Sequence, residues 1–149
     1  MSKRSLVLGA GFVGRAAAWD LQRRDHDVTV VDGDAGVAQR VGEEFDIPWR
    51  HADVTEDLDS LFAPHDNIVS AVPYRFGTDL AAAAVRQGCN YYDFGGNPTI
   101  VKAQLEMDQA AVDSGVAIVP DCGLAPGVAN VMAAGIIEDT TEEVQIRVG

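Results

Sequence analysis

Cysteine and lysine are scarce in this chain of 149 residues. Its two cysteines, Cys89 and Cys122, stand apart without C-x-x-C spacing, which excludes a disulfide scaffold and a cysteine-rich zinc site and is typical of a reducing compartment. Lysine occurs only at Lys3 and Lys102, and the net charge is −12. The chain therefore lacks the clustered cations that nucleic acids and anionic membranes require. Such a composition also suits a halophile's cytosol, although solubility alone explains it equally well.

Long hydrophobic runs are absent as well, since no stretch approaches the ~20 apolar residues of a membrane-spanning helix. The apolar run after Arg4 breaks at Gly9 and so does not resemble a signal peptide. Histidine and cysteine show no metal-ligand spacing. We therefore expect a cytoplasmic globular protein with no metal, membrane or nucleic-acid partner.

Short runs rich in valine and isoleucine alternate with longer helical patterns. Strands are predicted at residues 5–8, 27–31, 49–51, 67–72, 90–93, 117–120 and 144–148. Helices are predicted at residues 12–23, after Asp34, and at residues 79–87, 98–114 and about 127–137. This alternation predicts an α/β fold, namely a Rossmann-type doubly wound, mainly parallel sheet of about six strands with helices on both faces.

The end of the chain departs from this rhythm. Val144, Ile146 and Val148 alternate with polar residues, which is typical of a strand with one exposed face. We therefore predict a nucleotide-binding domain over residues 1–142, with residues 143–149 as the first strand of a second, substrate-binding and catalytic domain.

A glycine-rich turn follows the first predicted strand directly and opens a helix. Gly9 allows the tight turn, Gly11 lets the backbone approach a pyrophosphate, and Gly14 lets the helix pack close to the strand. Phe12 and Val13 lie within the same turn. Free backbone N–H groups and the positive end of the helix would hold the diphosphate, so the turn predicts a dinucleotide site.

An acidic residue, Asp32, ends the second predicted strand 18 residues beyond Gly14. A carboxylate at this position accepts hydrogen bonds from the adenosine ribose diol and repels a 2′-phosphate. No lysine or arginine that would pair with that phosphate follows Asp32, since the next residues are Gly33, Asp34 and Ala35. The sequence therefore predicts NAD, with NADP as the less favoured cofactor.

Two further positions are assigned to the cofactor site. Asp53 and Val54 follow the third strand and would flank the adenine ring, although Asp53 is equally well explained as a turn residue among solvated acids. Val72 and Pro73 end the fourth strand, where the backbone would face the nicotinamide ribose. Simple termination of the strand by proline explains that pair equally well.

Three stretches together go beyond a general nucleotide-binding pattern. They are residues 7–14 (VLGAGFVG), residues 70–74 (SAVPY) with 88–96 (GCNYYDFGG), and residues 119–127 (VPDCGLAPG). Nearly the whole chain resembles the N-terminal nucleotide-binding domain of the saccharopine dehydrogenase family, and most of all its lysine 6-dehydrogenase branch.

The resemblance implies an NAD(P)-dependent oxidoreductase acting on the C–N bond of an amino acid or amine, such as lysine or saccharopine. In that family the substrate lies between the nucleotide domain and a second domain. The catalytic residues are therefore unknown, and we expect no activity from this fragment alone. The expected partner is a small amino-acid or amine substrate. No stripe in the sequence identifies a dimer seam, so the oligomeric state stays open between a monomer and a homo-oligomer.

Several residues follow predicted strand ends and should line the rim of the ligand crevice. These substrate-rim candidates are Tyr74, Asp93, Gly95, Asp121 and Gly123. Asp93 or Asp121 would orient an amine or act as acid or base, although helix capping and other structural roles are the favoured explanation.

Two alternatives complete the sequence-based hypotheses. Cys122 is a candidate nucleophile, but no histidine is near in sequence, and a buried structural thiol is favoured. A regulatory NAD-sensing domain, like the cytosolic gating domains of potassium channels, would share the glycine turn and the acid after the second strand. The glycine-rich segments after residue 70 favour the enzyme instead.

Overall fold

A computed structural model of the chain describes residues 3–138 and 141–147. Six strands form one sheet in the order β3-β2-β1-β4-β5-β6, and every neighbouring pair is parallel. The strands are β1 (Arg4–Leu8), β2 (Asp27–Asp32), β3 (Trp49–His51), β4 (Asn67–Ser70), β5 (Asn90–Asp93) and β6 (Ile118–Val119). This order is the doubly wound arrangement that the sequence predicts.

Helices connect the strands and cover both faces of the sheet. They are α1 (Phe12–Arg23), α2 (Ala35–Phe45), α3 (Leu58–Phe62), α4 (Gly77–Gln87), α5 (Pro98–Leu105), α6 (Asp108–Ser114) and α7 (Val128–Ala134), with a 3₁₀ turn at Tyr74–Phe76. Among the described residues, no helix combines the length and apolar character needed to cross a membrane.

Alternation along β1 divides the core between the two faces. Val7 packs into a buried cluster with Ala18 of α1 and Val41 of α2. Leu6 and Leu8 point the other way, into a larger cluster under α3 and α4. Since both faces are covered by helices, the strand is apolar without polar alternation, as expected for a central parallel strand.

Several helix ends lie where the capping signals predict them. The Asp34 carboxylate caps α2 by accepting from the backbone N–H groups of Gly36 and Val37. Asn97 caps α5 in the same way, with Pro98 in the first turn. Gly88 ends α4 in the left-handed conformation at φ 69°.

Some element boundaries were predicted wrongly. The single helix expected over residues 98–114 is two helices, because the chain forms a turn at Glu106 and Met107 before α6 begins. Neither residue is a glycine or proline, so the sequence carried no break signal. The short helix α3 was not predicted, α7 ends at Ala134, before residue 137, and β4 ends at Ser70, before residue 72.

The strand expected at residues 144–148 is not found in its described part. Residues 143–147 have no regular secondary structure, and Val148 lies outside the described residues. A strand requires a neighbouring strand for its backbone hydrogen bonds, and no described residue provides one here. Assignment of residues 143–149 to a second domain stays a prediction.

Candidate functional site

The carboxyl ends of β1 and β4 lie side by side at the centre of the sheet, and their connections leave toward opposite faces. Ligands of open α/β sheets bind at such a switch point. Two concave regions meet there and share a wall formed by residues 71–73. We call them the β2 groove and the β5 pocket.

The β2 groove has a volume of about 350 Å³ and lies beside the ends of β1, β2 and β3. It gathers most residues that the sequence assigned to the cofactor. Its lining includes Gly9, Gly11, Asp32, Asp53, Val54, Val72 and Pro73. Residues from four separate strand ends therefore converge on one groove.

The three glycines of the turn are required for different structural reasons. A Cβ on Gly9, at φ +89°, would lie 2.8 Å from the Ala71 carbonyl oxygen, and a Cβ on Gly14 would collide with the Gly9 carbonyl. A Cβ on Gly11 would meet nothing within 4 Å. Gly9 and Gly14 are thus required by the fold, whereas Gly11 keeps open the space beside the start of α1.

The start of α1 is suited to an anion. Its first turn has no acidic residue, and the backbone N–H groups there lack intrahelical acceptors. The Arg15 guanidinium is paired with Glu44, so backbone groups are left to hold a phosphate. The Phe12 side chain is 95% exposed and lines neither the β2 groove nor the β5 pocket, whereas Val13 lines the β5 pocket.

Asp32 is fixed by two backbone hydrogen bonds. Ala10 donates its N–H to Asp32 Oδ2 and Asp34 donates its N–H to Asp32 Oδ1, each at 2.8 Å. The carboxylate therefore has one orientation, at the mouth of the groove and against the glycine turn. His51 is paired with Asp32 in the sheet register and its Nε2 lies 3.1 Å from the Gly33 carbonyl oxygen.

Asp53 forms a turn of its own within the groove. Its Oδ1 accepts from the backbone N–H of Thr55 at 2.8 Å and from the Thr55 hydroxyl at 2.7 Å. These bonds, the hydroxyl's most of all, hold the pKa of the Asp53 carboxyl below its usual range. Asp53 is therefore a turn residue that also contributes negative charge to the groove.

The β5 pocket is smaller, about 100 Å³, and lies beside the ends of β4 and β5. Its lining includes Val13, Ser70, Tyr74, Tyr91, Asp93 and Gly95. Three of the substrate-rim candidates, Tyr74, Asp93 and Gly95, are brought together here. Tyr91 is fully buried, and burial raises the pKa of its phenol well above the usual range.

Asp93 joins three parts of the chain. Its Oδ2 accepts from Gln104 Nε2 of α5 at 2.6 Å, and its Oδ1 accepts from the backbone N–H groups of Gly95 and Asp121 at 2.8 and 3.2 Å. The residue is 8% exposed. Gly77 leaves room for this arrangement, because a Cβ there would lie 3.0 Å from Gln104 Nε2. The observed role of Asp93 is therefore structural, since its carboxylate connects these three parts of the chain.

Asp121 and Gly123 lie outside both regions at the switch point. Asp121 has φ 61° and lines a separate groove against Pro98 of α5, and a Cβ on Gly123 would lie 2.7 Å from the Phe94 carbonyl oxygen.

Cys122 is exposed, because it follows the edge strand β6, so the prediction that it is buried was wrong. Partial desolvation of its sulfur nevertheless raises the pKa of the thiol, which disfavours a thiolate.

Sequence reasoning missed Ser70, Ala71 and Tyr91 as lining residues. The alternation of a strand was the available signal, since Tyr91 lies two residues before Asp93 and therefore shares its face of the sheet. Among residues 3–138 and 141–147, no three histidine, cysteine, aspartate or glutamate residues cluster as a metal site would require.

The sequence of the chain is similar to a known protein family and to curated relatives. The model of the saccharopine dehydrogenase NADP binding domain matches residues 5–119. Saccharopine dehydrogenase [NADP(+), L-glutamate-forming] of Pyricularia oryzae is 32% identical over 142 residues, which are 93% of this chain and 31% of that protein. The mitochondrial alpha-aminoadipic semialdehyde synthase of Bos taurus is 27% identical, over 94% of this chain and 15% of its own length.

Solved structures agree. Apo saccharopine dehydrogenase (L-Glu forming) from Saccharomyces cerevisiae superposes with a TM-score of 0.78 at 27% identity, covering 90% of this chain and 30% of that one. GenD2 from gentamicin A biosynthesis, solved with NAD, shares the fold at a TM-score of 0.67 and 22% identity, covering 93% of this chain and 39% of that one. The chain thus spans about a third of the length of the yeast and Pyricularia relatives. The chain belongs to the saccharopine dehydrogenase family.

Proposed function

We propose that this chain is the dinucleotide-binding domain of an amino-acid dehydrogenase and that it prefers NAD to NADP. The observation that carries the proposal is the fixed carboxylate of Asp32, held against the glycine turn by Ala10 and facing the β2 groove. A bound pyridine dinucleotide would supply the hydride acceptor for oxidation of a C–N bond.

The groove suits a dinucleotide in shape and charge. The open space at Gly11 and the N–H groups of α1 would hold the pyrophosphate, and Asp32 would accept from the ribose hydroxyls. Asp32 and Asp53 together place negative charge where a 2′-phosphate would lie. The basic residue that the sheet pairs with Asp32 is His51. The Pyricularia and yeast saccharopine dehydrogenases are named for NADP(+), so this preference would distinguish the chain from those two relatives.

The reaction would be oxidation of the C–N bond of an amino acid such as lysine or saccharopine. Saccharopine is the substrate named for the Pyricularia and yeast relatives. Substrate contacts would require a further domain. Three apolar side chains of α7, Val128, Val131 and Met132, are 53–74% exposed at helical spacing and would provide a face for such a domain.

The proposal is tested by titrating NADH and NADPH against the chain and its Asp32→Asn variant. Loss of the charge should reduce the preference for NADH by about tenfold, which corresponds to about 1.4 kcal/mol. Asp113→Asn, on the exposed face of α6, removes the same charge far from the groove and is the matched control. An unchanged ratio in Asp32→Asn would refute the assignment of Asp32 to cofactor choice.

A further inference from the structure

His51 lies beside the β2 groove, at the carboxyl end of the edge strand β3. The parallel register pairs it with Asp32, and its Nε2 lies 3.1 Å from the Gly33 carbonyl oxygen. Because a carbonyl oxygen only accepts, Nε2 carries a proton and donates it to Gly33. His51 therefore contacts the residue that directly follows the carboxylate proposed to hold the adenosine ribose.

The backbone at Gly33 leaves open space in the groove. Gly33 lines the β2 groove, and a Cβ there would meet no protein atom within 4 Å. In dinucleotide-binding domains the 2′ position of the adenosine ribose lies beside the acidic residue at the end of the second strand. A 2′-phosphate would thus lie in the space at Gly33, within reach of the imidazole that contacts the Gly33 carbonyl.

Acidic groups surround His51. Asp32 comes from β2, Asp34 from the start of α2, and Asp53 from the turn after β3. The pKa of the Asp53 carboxyl is lowered first by the hydrogen bonds of its own turn and further by the nearby His51. Asp34 is engaged in capping α2. The other charged residues of these elements, farther along β2 and α2 or alternating to the opposite face of β3, are Asp27, Arg40, Glu43, Glu44 and Arg50.

Protonation of the imidazole would change this balance of charge. Neutral His51 has one N–H, which Gly33 accepts, whereas the imidazolium has a second N–H at Nδ1 and a positive charge. Histidine is the side chain that gains a proton between about pH 8 and pH 5, and aspartates ordinarily stay ionised over that range. Acid therefore adds a cation and a donor beside the carboxylates without removing them. A phosphate gains from both, and a ribose hydroxyl gains little.

We propose that His51 is a specificity-determining residue whose protonation allows the 2′-phosphate of NADP to bind, so that the preference for NAD narrows as the pH falls below neutrality. This inference rests on the proposed function, since it requires that the chain binds a dinucleotide. It gives the chain a way to bind the cofactor named for its Pyricularia and yeast relatives, although no lysine or arginine directly follows Asp32.

The test follows the affinities for oxidised NAD and NADP by calorimetry between about pH 8 and about pH 5.5. The oxidised forms are chosen because the reduced ones decompose in acid. In the wild type, the ratio of NADP affinity to NAD affinity should rise about fivefold more than in His51→Gln, the effect of one charge-assisted hydrogen bond at an exposed site. Glutamine keeps an N–H for Gly33 but takes up no proton, so this variant retains only the contribution of the phosphate's own titration.

Two further variants and a second readout complete the test. His65→Gln removes an imidazole just before the amino end of β4, at the opposite edge of the sheet, and should behave as the wild type. His51→Arg supplies a permanent cation and should raise NADP affinity about fivefold at pH 8. Titrations in buffers of different ionisation enthalpy should show that NADP binding takes up more protons in the wild type than in His51→Gln.

The remaining outcomes separate the inference from the proposed function. An equal pH dependence of the affinity ratio in the wild type and His51→Gln overturns the role of His51 while dinucleotide binding stands. Unchanged NADP affinity in His51→Arg overturns it as well. If the wild type binds neither NAD nor NADP at any pH, the proposed function fails and this inference fails with it.

Discussion

Ala10 and Asp32 are joined by a 2.8 Å hydrogen bond from the backbone N–H of Ala10 to the carboxylate of Asp32. The bond links the glycine turn after β1 to the end of β2, so the residue proposed to choose the cofactor also holds the glycine turn in place. A change of Asp32 should therefore have two effects, one on stability and one on the proposed binding.

These two effects can be separated by the choice of substitution. Asp32→Ala removes both carboxylate oxygens and leaves the N–H of Ala10, a residue 4% exposed, without its acceptor. We expect it to lower the free energy of unfolding by about 1–3 kcal/mol. Asp32→Asn keeps one acceptor oxygen and should cost less, as chemical denaturation would show. Equal losses for the two variants would contradict the structural role of the bond.

Substitution by alanine should mainly affect cofactor binding at Gly11 and mainly affect stability at Gly14. A Cβ on Gly11 meets no protein atom within 4 Å, so Gly11→Ala should cost at most about 1 kcal/mol, for a poorer helix cap, while it weakens NADH binding. A Cβ on Gly14 collides with the Gly9 carbonyl, so Gly14→Ala should lower stability by about 1–3 kcal/mol. Thermal melts and NADH titrations check both, and a stable Gly14→Ala variant would contradict the packing described.

The buried carboxylate of Asp93 should be a stability determinant. Asp93→Ala leaves three donors, from Gly95, Gln104 and Asp121, without an acceptor. Even partial rescue by water would leave a loss of about 3 kcal/mol. Asp113→Ala, at an exposed position of α6, is the control. Denaturant unfolding that gives the same midpoint for both variants would refute the bridging role of Asp93.

Acid should weaken the link between β1 and the start of β4. The Arg4 guanidinium, at 2.7 Å from Asp66 Oδ1, is the main reason that the pKa of Asp66 is lowered to about 2. Because the folded pKa lies below the unfolded one, this contribution to stability is present above the unfolded value and is lost as pH falls toward 2.

The comparison of wild type with Asp66→Asn isolates this contribution. The wild type should melt at a higher temperature than the variant above about pH 4, and the difference should vanish near pH 2. Both side chains are about half exposed, so 1 M salt should reduce the difference. A difference that persists unchanged to pH 2 would contradict the ion pair as its source.

The sequence predicted the sheet because central parallel strands are apolar and the helices have capping residues at their ends. The start of α2 at its cap Asp34 and the end of α4 at its cap Gly88 could be predicted in this way. The break between α5 and α6 could not, since Glu106 and Met107 are compatible with a continuing helix and only tertiary packing decides.

The candidate site was predictable to a similar extent. The glycine turn and Asp32 have a sequence spacing with a physical reason, so their meeting in the β2 groove could be expected. Tyr91 was not predicted to line the β5 pocket, because a tyrosine in a strand is usually core and its contact with the pocket depends on the packed structure.

The central claim, that the β2 groove binds NAD(H), is tested most directly by calorimetric titration of the wild-type chain with NADH and NADPH at low and high salt. We expect saturable one-to-one binding of NADH, with NADPH binding at least about tenfold weaker because of the Asp32 carboxylate. Absence of binding by either cofactor at every salt concentration, or tighter binding of NADPH, would contradict it.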